Sequence, residues 1–244
     1  MNKTGIEWCD YTWNPITGCT PASIGCQNCY AKAMANRLKG RCGYDKDNPF
    51  KVTFHPERLD EPGKIKKPSK IFVCSMGDLF HEDVDETWLW DVYKSMEQAP
   101  HHKYLILTKR PENIKVFDFM IPQGHVLKRL WFGVTAETQA MAIKRIPKLI
   151  EQTKGKFPLF VSCEPILGRV NLKTWIKSLS WVIAGGETGV SQRRSEAPWI
   201  IDLSYTCQLA GVAFYFKQWG NNPGWKQEAL DAVILPKQFP DGLS

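Results

Sequence analysis

The chain has 244 residues, of which 43% are apolar and 23% charged, with a formal net charge of +7. These values describe a folded α/β-sized protein and exclude a disordered or low-complexity one. No apolar run approaches the ~20 residues that span a bilayer, and the N-terminus MNKTGIEW lacks the apolar stretch of an export signal, so the expectation is a cytoplasmic protein with no membrane partner.

The first apolar run, Ile6 to Trp13, reads as a strand. It leads into GCTPASIGCQNCY, Gly18 to Tyr30, where Cys19, Cys26 and Cys29 stand in a C-x6-C-x2-C arrangement. Two cysteines separated by two residues can place both sulfurs on one metal centre. The third lies on a loop that Gly18, Pro21 and Gly25 allow to fold back. Three thiolates from one loop leave a metal or cluster one ligand short, and a catalytic centre needs such an open position. A structural zinc completed by Cys9, Cys42 or a histidine fits the spacing as well, as do three core thiols without metal. Spacing does not choose between zinc and iron–sulfur. Eight cysteines at irregular intervals in an unexported chain should be reduced thiols or metal ligands rather than disulfides.

Ala31, Met34, Ala35 and Leu38 recur at helical spacing after the loop. Residues 43–69 then form an irregular, proline-bearing stretch, a lid or an insertion, which carries the basic run KIKK (Lys64 to Lys67). Beyond it, short β-rich runs end in small, polar or charged residues. They begin at Ile71, Tyr104, Leu130, Leu159, Trp181 and Val212. Continuous apolar runs read as parallel strands buried on both faces. Helical segments lie between them: Thr87 to Gln98, Thr138 to Ile150 and Trp199 to Ala210. Strand alternating with helix argues a parallel sheet with helices outside. With Ile6 to Trp13 the count is about seven strands. The expectation is therefore a full or partial β/α barrel over residues 1–244, with a doubly wound sheet as the alternative.

In β/α barrels the chemistry sits at the C-terminal ends of the strands. The polar tails of the runs are thus candidates as a group: Ser75, Gly77 and Asp78; Thr108, Lys109 and Arg110; Thr135 and Glu137; Ser162 and Glu164; Gly186 and Glu187; Lys217 and Gln218. The cysteine loop, at 18–30, falls on the same face. Some of these are equally good helix caps, notably Ser75, Asp78, Thr135 and Ser162. Glu164 and Glu187 end apolar strands, where a carboxylate is costly unless it pairs or binds something. GGETG, Gly185 to Gly189, would let backbone approach a ligand and free amides for an anion. It lacks the spacing of a dinucleotide fingerprint, and no Walker lysine motif, zinc-protease helix or nucleophile elbow is present. The positive charge and ten tryptophans suit an anionic, stackable partner such as a nucleic acid.

A three-cysteine loop after the first strand of a parallel β/α array resembles the radical S-adenosylmethionine (SAM) superfamily. In more detail the chain is similar to a phage- and prophage-associated three-cysteine family assigned to that superfamily. The resemblance spans nearly the whole chain and is carried by GIEWCDYTWNPITGC, GCQNCYA, FHPERL, SMGDLFHEDV, LTKRPE, SCEPILG, WVIAGGETG and FYFKQWG. The superfamily's usual spacing is C-x3-C-x2-C with an aromatic before the third cysteine. Here the first gap is six residues, Asn28 holds that position and the aromatic Tyr30 follows.

The resemblance implies a 4Fe–4S cluster on Cys19, Cys26 and Cys29, with SAM on the fourth iron. It places Tyr30 beside the cofactor, the Ser75–Gly77–Asp78 loop at the SAM amino group with Asp78 as acceptor, and Thr135 and Glu137 at ribose hydroxyls or the carboxylate. Lys109 or Arg110 would neutralise that carboxylate, and Glu164, Glu187 and Lys217 would face the substrate. The activity implied is reductive cleavage of SAM to a 5′-deoxyadenosyl radical that acts on a nucleic acid, a nucleotide or another substrate, with an external electron donor. Two readings stand beside it: a zinc-stabilised nucleic-acid-binding protein without turnover, and a cluster-bearing subunit that acts only with a partner protein of the family's system.

Overall fold

The computed structural model describes residues 1–114, 129–189, 191–220 and 235–243. Ten strands are found among them: β1 (Asn2–Lys3), β2 (Tyr11–Trp13), β3 (Ile16–Thr17), β4 (Thr53–Phe54), β5 (Lys70–Val73), β6 (Lys103–Thr108), β7 (Leu130–Thr135), β8 (Leu159–Cys163), β9 (Trp181–Ala184) and β10 (Ala213–Phe216). Five α-helices accompany them: α1 (Tyr30–Leu38), α2 (Glu61–Lys64), α3 (Glu86–Gln98), α4 (Gln139–Thr153) and α5 (Ala197–Ala210). One sheet takes eight strands in the order β1-β2-β5-β6-β7-β8-β9-β10. From β2 to β10 every pairing is parallel, and only β1 runs antiparallel to its neighbour. Strand order follows chain order, and β2 and β10 do not pair among the described residues. The architecture is therefore a partial parallel β/α barrel.

Side chains alternate between two buried faces, as the period of a strand requires. Ile71, Val73, Ile106, Phe132, Val161, Val182 and Phe214 belong to the core shared with the helices. Phe72, Leu105, Trp131, Phe160, Trp181, Ile183 and Tyr215 form a second, concave core. Two burials per strand are why the apolar runs are continuous rather than alternating. The helices start where the sequence supplies a cap: Asp85 accepts from the Thr87 amide at 2.8 Å before α3, and Thr138 from the Met141 amide at 3.4 Å before α4.

The first strand is shorter than its apolar run. Residues 6–10 form a turn, held by the Ile6 amide on Thr4 Oγ1 (3.1 Å) and the Cys9 amide on the Ile6 carbonyl (3.2 Å). The turn swings Trp8 into the concave core, 4.8 Å from the Phe72 ring and 6.2 Å from Trp181. Burying an aromatic of that size contributes about 2–3 kcal/mol, enough to override extended propensity. At the other end of the barrel, the amide of Phe216 donates to Pro236 O and that of Gln238 to Phe214 O, both at 2.9 Å, which covers the edge of β10. Phe239 and the buried Leu243 then close the concave core from below.

Gly133 on β7 faces the Phe160 ring, and a Cβ there would sit 2.5 Å from it. Gly133→Ala should destabilise the protein by about 1–3 kcal/mol through overpacking, read as a lower Tm. Adding Phe160→Leu should recover part of the loss. An unchanged Tm for Gly133→Ala would contradict this packing.

Candidate active site

A cavity of about 480 Å³ opens at the C-terminal ends of the parallel strands. Its wall brings together most of the residues singled out in the sequence: Cys19, Cys26, Cys29, Tyr30, Ser75, Gly77, Asp78, Lys109, Thr135, Glu164, Glu187 and Lys217. Arg110 and Glu137 do not line it. The apolar side chains of Ile6, Trp8, Phe72 and Leu107 also face the cavity, so polar strand ends stand above an aromatic floor. Part of the 43–69 stretch, from Asn48 to Val52, contributes another side.

The cysteine loop is seated by backbone. Gly18 sits at φ 87°, and a Cβ there would lie 2.1 Å from the Lys51 carbonyl oxygen. Only glycine fits both that conformation and that approach. The Gly18 amide donates to Met76 O (2.9 Å) and that of Cys19 to Phe50 O (3.2 Å). Gly77 packs against Gly18, where a Cβ would meet its carbonyl oxygen at 2.9 Å. The facing loop starts at Cys74, which turns the chain with φ 56°. Asn14 Oδ1 then accepts from the Met76 amide (2.9 Å) and from the Ser75 hydroxyl (3.2 Å). Tyr30 donates its hydroxyl to the Ser75 carbonyl, tying the end of the cysteine loop to the same place.

Two arginines clamp the loop between these ends. Arg110 donates to Thr20 O (3.1 Å), Thr20 Oγ1 (2.8 Å), Glu82 (2.6 Å) and the Cys19 sulfur (3.4 Å). Arg193 donates to Ile24 O (3.0 Å) and Gln27 Oε1 (3.3 Å) while holding Glu187 through Nε at 2.9 Å and Nη2 at 2.5 Å. Asn28 completes this side with hydrogen bonds to Glu187 Oε2 (2.9 Å) and Ser191 O (2.8 Å). The residue that departs from the superfamily pattern is thus the one that docks the loop on the end of β9. Arg193, Asn14 and Asn28 were not among the sequence candidates. A long basic or amide side chain near a glycine-rich strand end was the only available signal.

Several candidates also make contacts that hold the site's own loops together. Asp78 is 4% exposed. Its oxygens take Thr108 Oγ1 (2.7 Å) and the amides of Phe80 and Lys109 (both 3.1 Å), and Oδ2 lies 3.5 Å from Arg110. These contacts fix the β5 loop to the end of β6. The donors of Arg110 are taken by the cysteine loop and Glu82, whereas Lys109 Nζ lies 3.4 Å from Thr135 Oγ1. Glu137 is fully buried in a 2.8 Å ion pair with Arg145 and supports Gly25 from beneath. Burial pushes the Glu187 carboxyl up, but the hydrogen bonds from Arg193 and then Asn28 outweigh it and hold the group below the usual carboxylate range.

Glu164 and Lys217 stay together in the cavity. Lys217 Nζ lies 3.1 Å from Glu164 Oε1, and Ser162 donates to Oε2 at 3.3 Å. The pair reaches across the end of β9, where Gly185 makes room: a Cβ there would lie 2.9 Å from Glu164 Oε1. Gly186 is needed for packing too, with its amide on Gln218 O at 2.8 Å and no space for a Cβ beside the Trp219 carbonyl. Gly185 and Gly186 therefore serve the approach of the neighbouring strand end.

All eight cysteines are free thiols, and Cys9, Cys74, Cys163 and Cys207 are buried. Burial and then Asp78 push the Cys19 thiol up to about 11, while Arg110 works in the opposite direction. The amide of Ala22 donates to the Cys26 sulfur at 3.4 Å, and Cys29 is the N-cap residue of α1. Among the described residues, no three His, Cys, Asp or Glu side chains converge at the spacing of a single metal ion. One tetrahedral zinc would need its sulfurs about 3.8 Å apart. A cluster takes each thiolate on its own iron. Three reduced thiols on one loop, opening on one cavity with N–H donors at two sulfurs, fit such a cluster.

The fold and site define a parallel β/α partial barrel with a three-cysteine loop over its C-terminal cavity. Residues 3–234 match the family described as "Protein of unknown function (DUF5131)", and the chain belongs to that family. A search of curated proteins finds no match. Among solved structures, a cysteine-to-serine variant of spore photoproduct lyase aligns over 88% of this chain and 79% of its own, with a TM-score of 0.55 and 11% identity. Another cysteine variant of that lyase, with bound AdoMet and dinucleoside spore photoproduct, aligns over 96% of this chain and 65% of its own, with a TM-score of 0.48 and 10% identity. At these identities the likeness is one of fold. No helix among the described residues is long and apolar enough to cross a membrane.

The Glu187–Arg193 clamp carries a pH signature. A carboxyl held below its unfolded value near 4.3 stabilises the folded state above that pH. The contribution disappears as pH falls through the folded value. Glu187→Gln should lower Tm at pH 7 by the equivalent of about 1–3 kcal/mol, and the gap to wild type should close below about pH 4. A gap that stays constant with pH would show that the carboxylate charge contributes nothing.

Proposed function

We propose that the chain is a cytoplasmic radical SAM enzyme whose cluster is held by Cys19, Cys26 and Cys29 and whose substrate is a nucleic acid or nucleotide. The observation that carries this reading is the convergence of three free thiols on one cavity at the C-terminal ends of parallel strands. When bound, a cluster and SAM supply one-electron reductive cleavage of SAM to methionine and a 5′-deoxyadenosyl radical, which abstracts hydrogen from the substrate.

The chain's own residues supply position and exclusion. The cysteine loop, fixed at Gly18 and by Arg110 and Arg193, would hold the cluster through its three sulfurs. Lys109 forms no ion pair among the described residues and faces the cavity, so it can hold an anionic carboxylate beside Thr135. Glu164 and Lys217 present one acceptor and one donor to a substrate and keep each other's charge compensated. Trp8, Phe72 and Leu107 give the floor a largely apolar surface, which disfavours water beside a reactive intermediate. Exposed Lys32 and Lys51 at the cavity, with the net charge of +7, favour an anionic substrate. An external reductant supplies the electron.

The test is SAM turnover. Anaerobically reconstituted protein with dithionite should form methionine and 5′-deoxyadenosine, and Cys26→Ala should form neither. Iron-loaded protein that leaves SAM intact, alone and with nucleic acid present, would contradict the proposal.

A further inference from the structure

The three candidate ligand sulfurs are not in equal surroundings. Cys26 faces a neutral amide, that of Ala22 at 3.4 Å. Cys29 stands at the start of α1. Cys19 alone faces a charged donor in its hydrogen bonds: Arg110 Nη1 lies 3.4 Å from its Sγ. Arg110 is 7% exposed, so solvent screens its charge weakly. It is also fixed. Nε is on Glu82, Nη2 on the Thr20 carbonyl and hydroxyl, and Nη1 stands 3.5 Å from Asp78 Oδ2. The guanidinium therefore keeps its distance from the sulfur whether or not a ligand enters the cavity. Arg110 itself does not line the cavity, whereas Cys19, Thr20 and Asp78 do, so its guanidinium meets the cysteine loop from behind the wall.

We propose that Arg110 sets the reduction potential of the cluster from the Cys19 side, with Asp78 as the opposing fixed charge. The inference rests on the radical SAM reading above. Reduction adds one electron, from a low-potential one-electron donor, to a cluster already negative through its thiolates. A fixed cation beside one thiolate stabilises the reduced form more than the oxidised form and raises the potential. A fixed carboxylate does the reverse. Hydrogen bonds and charge at cluster sulfurs are established levers on potential. No proton has to move, because a guanidinium stays charged throughout. Arg110 is a positioning and tuning residue on this account, since it touches a ligand and not the reacting atoms.

The test is an anaerobic redox titration of the reconstituted cluster, followed by electron paramagnetic resonance, in wild type and four variants. Arg110→Met should lower the reduced-to-oxidised ratio at a fixed ambient potential at least tenfold, about 59 mV for one electron. Asp78→Asn should move the ratio the other way. Arg110→Lys, which keeps a cation near the sulfur, should recover most of the Arg110→Met shift. Thr20→Val loosens the anchor and leaves the charge, so it should stay within about threefold of wild type. If Arg110→Met and Asp78→Asn shifted in the same direction, or if Thr20→Val reproduced Arg110→Met, the effect would be loop packing and the inference would fall. Should Arg110→Met not take up iron, Asp78→Asn decides: an unchanged potential there overturns the proposal. Wild-type protein that takes up no iron would overturn the radical SAM reading, whereas a normal cluster with a potential indifferent to Arg110 and Asp78 would overturn this inference alone.

Discussion

The cysteine loop has one seat, and it is made by a close approach of two backbones. Gly18 lies against the Lys51 carbonyl at a distance no side chain tolerates, and Gly77 lies against Gly18. That contact joins three parts of the chain: the end of β3, the 43–69 stretch and the loop after β5. Everything placed over the cavity depends on it. With Gly18 fixed, the amides of Gly18 and Cys19 find carbonyl partners, and Arg110 and Arg193 reach the loop from the ends of β6 and β9. The charged contacts are second in rank because each needs the loop already near. A buried guanidinium with its donors satisfied fixes geometry. One left unpaired would be strongly destabilising.

The barrel supplies the gradient on which the site stands. Along the inward rows, aromatic side chains low on β7 to β10 give way to Thr135, Ser162, Glu164 and Lys217 at the strand ends. Short parallel strands make this possible, since each contributes only two or three inward residues before its loop begins. Charged ends can then sit beside an apolar floor because they satisfy one another. Glu164 and Lys217 do so across Gly185, and Glu187 does so with Arg193. The strand between β8 and β10 has to end in glycine for that bridge to form.

Much of this was legible in the chain itself. The continuous runs at Tyr104, Leu130 and Leu159 gave buried parallel strands because both faces of the sheet are covered. The expected helices match α3, α4 and α5 to within a few residues, helped by caps such as Asp85 and Thr138. The common face of the cysteine loop and the strand ends followed from the architecture alone. The turn at Ile6 to Asp10 did not, because its cause is the burial of Trp8 against rings more than sixty residues away in sequence. The roles of Asn28, Arg110, Asp78 and Glu187 were hidden for a similar reason. Asn28 and Glu187 are 159 residues apart, and Arg110 and Thr20 are 90 apart. Residue type marks a group as polar at a strand end. Only the fold decides whether it meets a ligand or a loop.

The central claim is that Cys19, Cys26 and Cys29 hold an iron–sulfur cluster. It is tested most directly by iron, sulfide and zinc analysis, with a visible spectrum, of anaerobically purified wild type, Cys26→Ala and Cys207→Ala. The account predicts brown protein with about four irons and four sulfides per chain for wild type and for Cys207→Ala, whose cysteine is buried in the core beside α5. Cys26→Ala should lose both. Colourless wild-type protein with one zinc, still unable to take up iron after anaerobic reconstitution, would contradict it, as would a Cys207→Ala variant that lost iron as completely as Cys26→Ala.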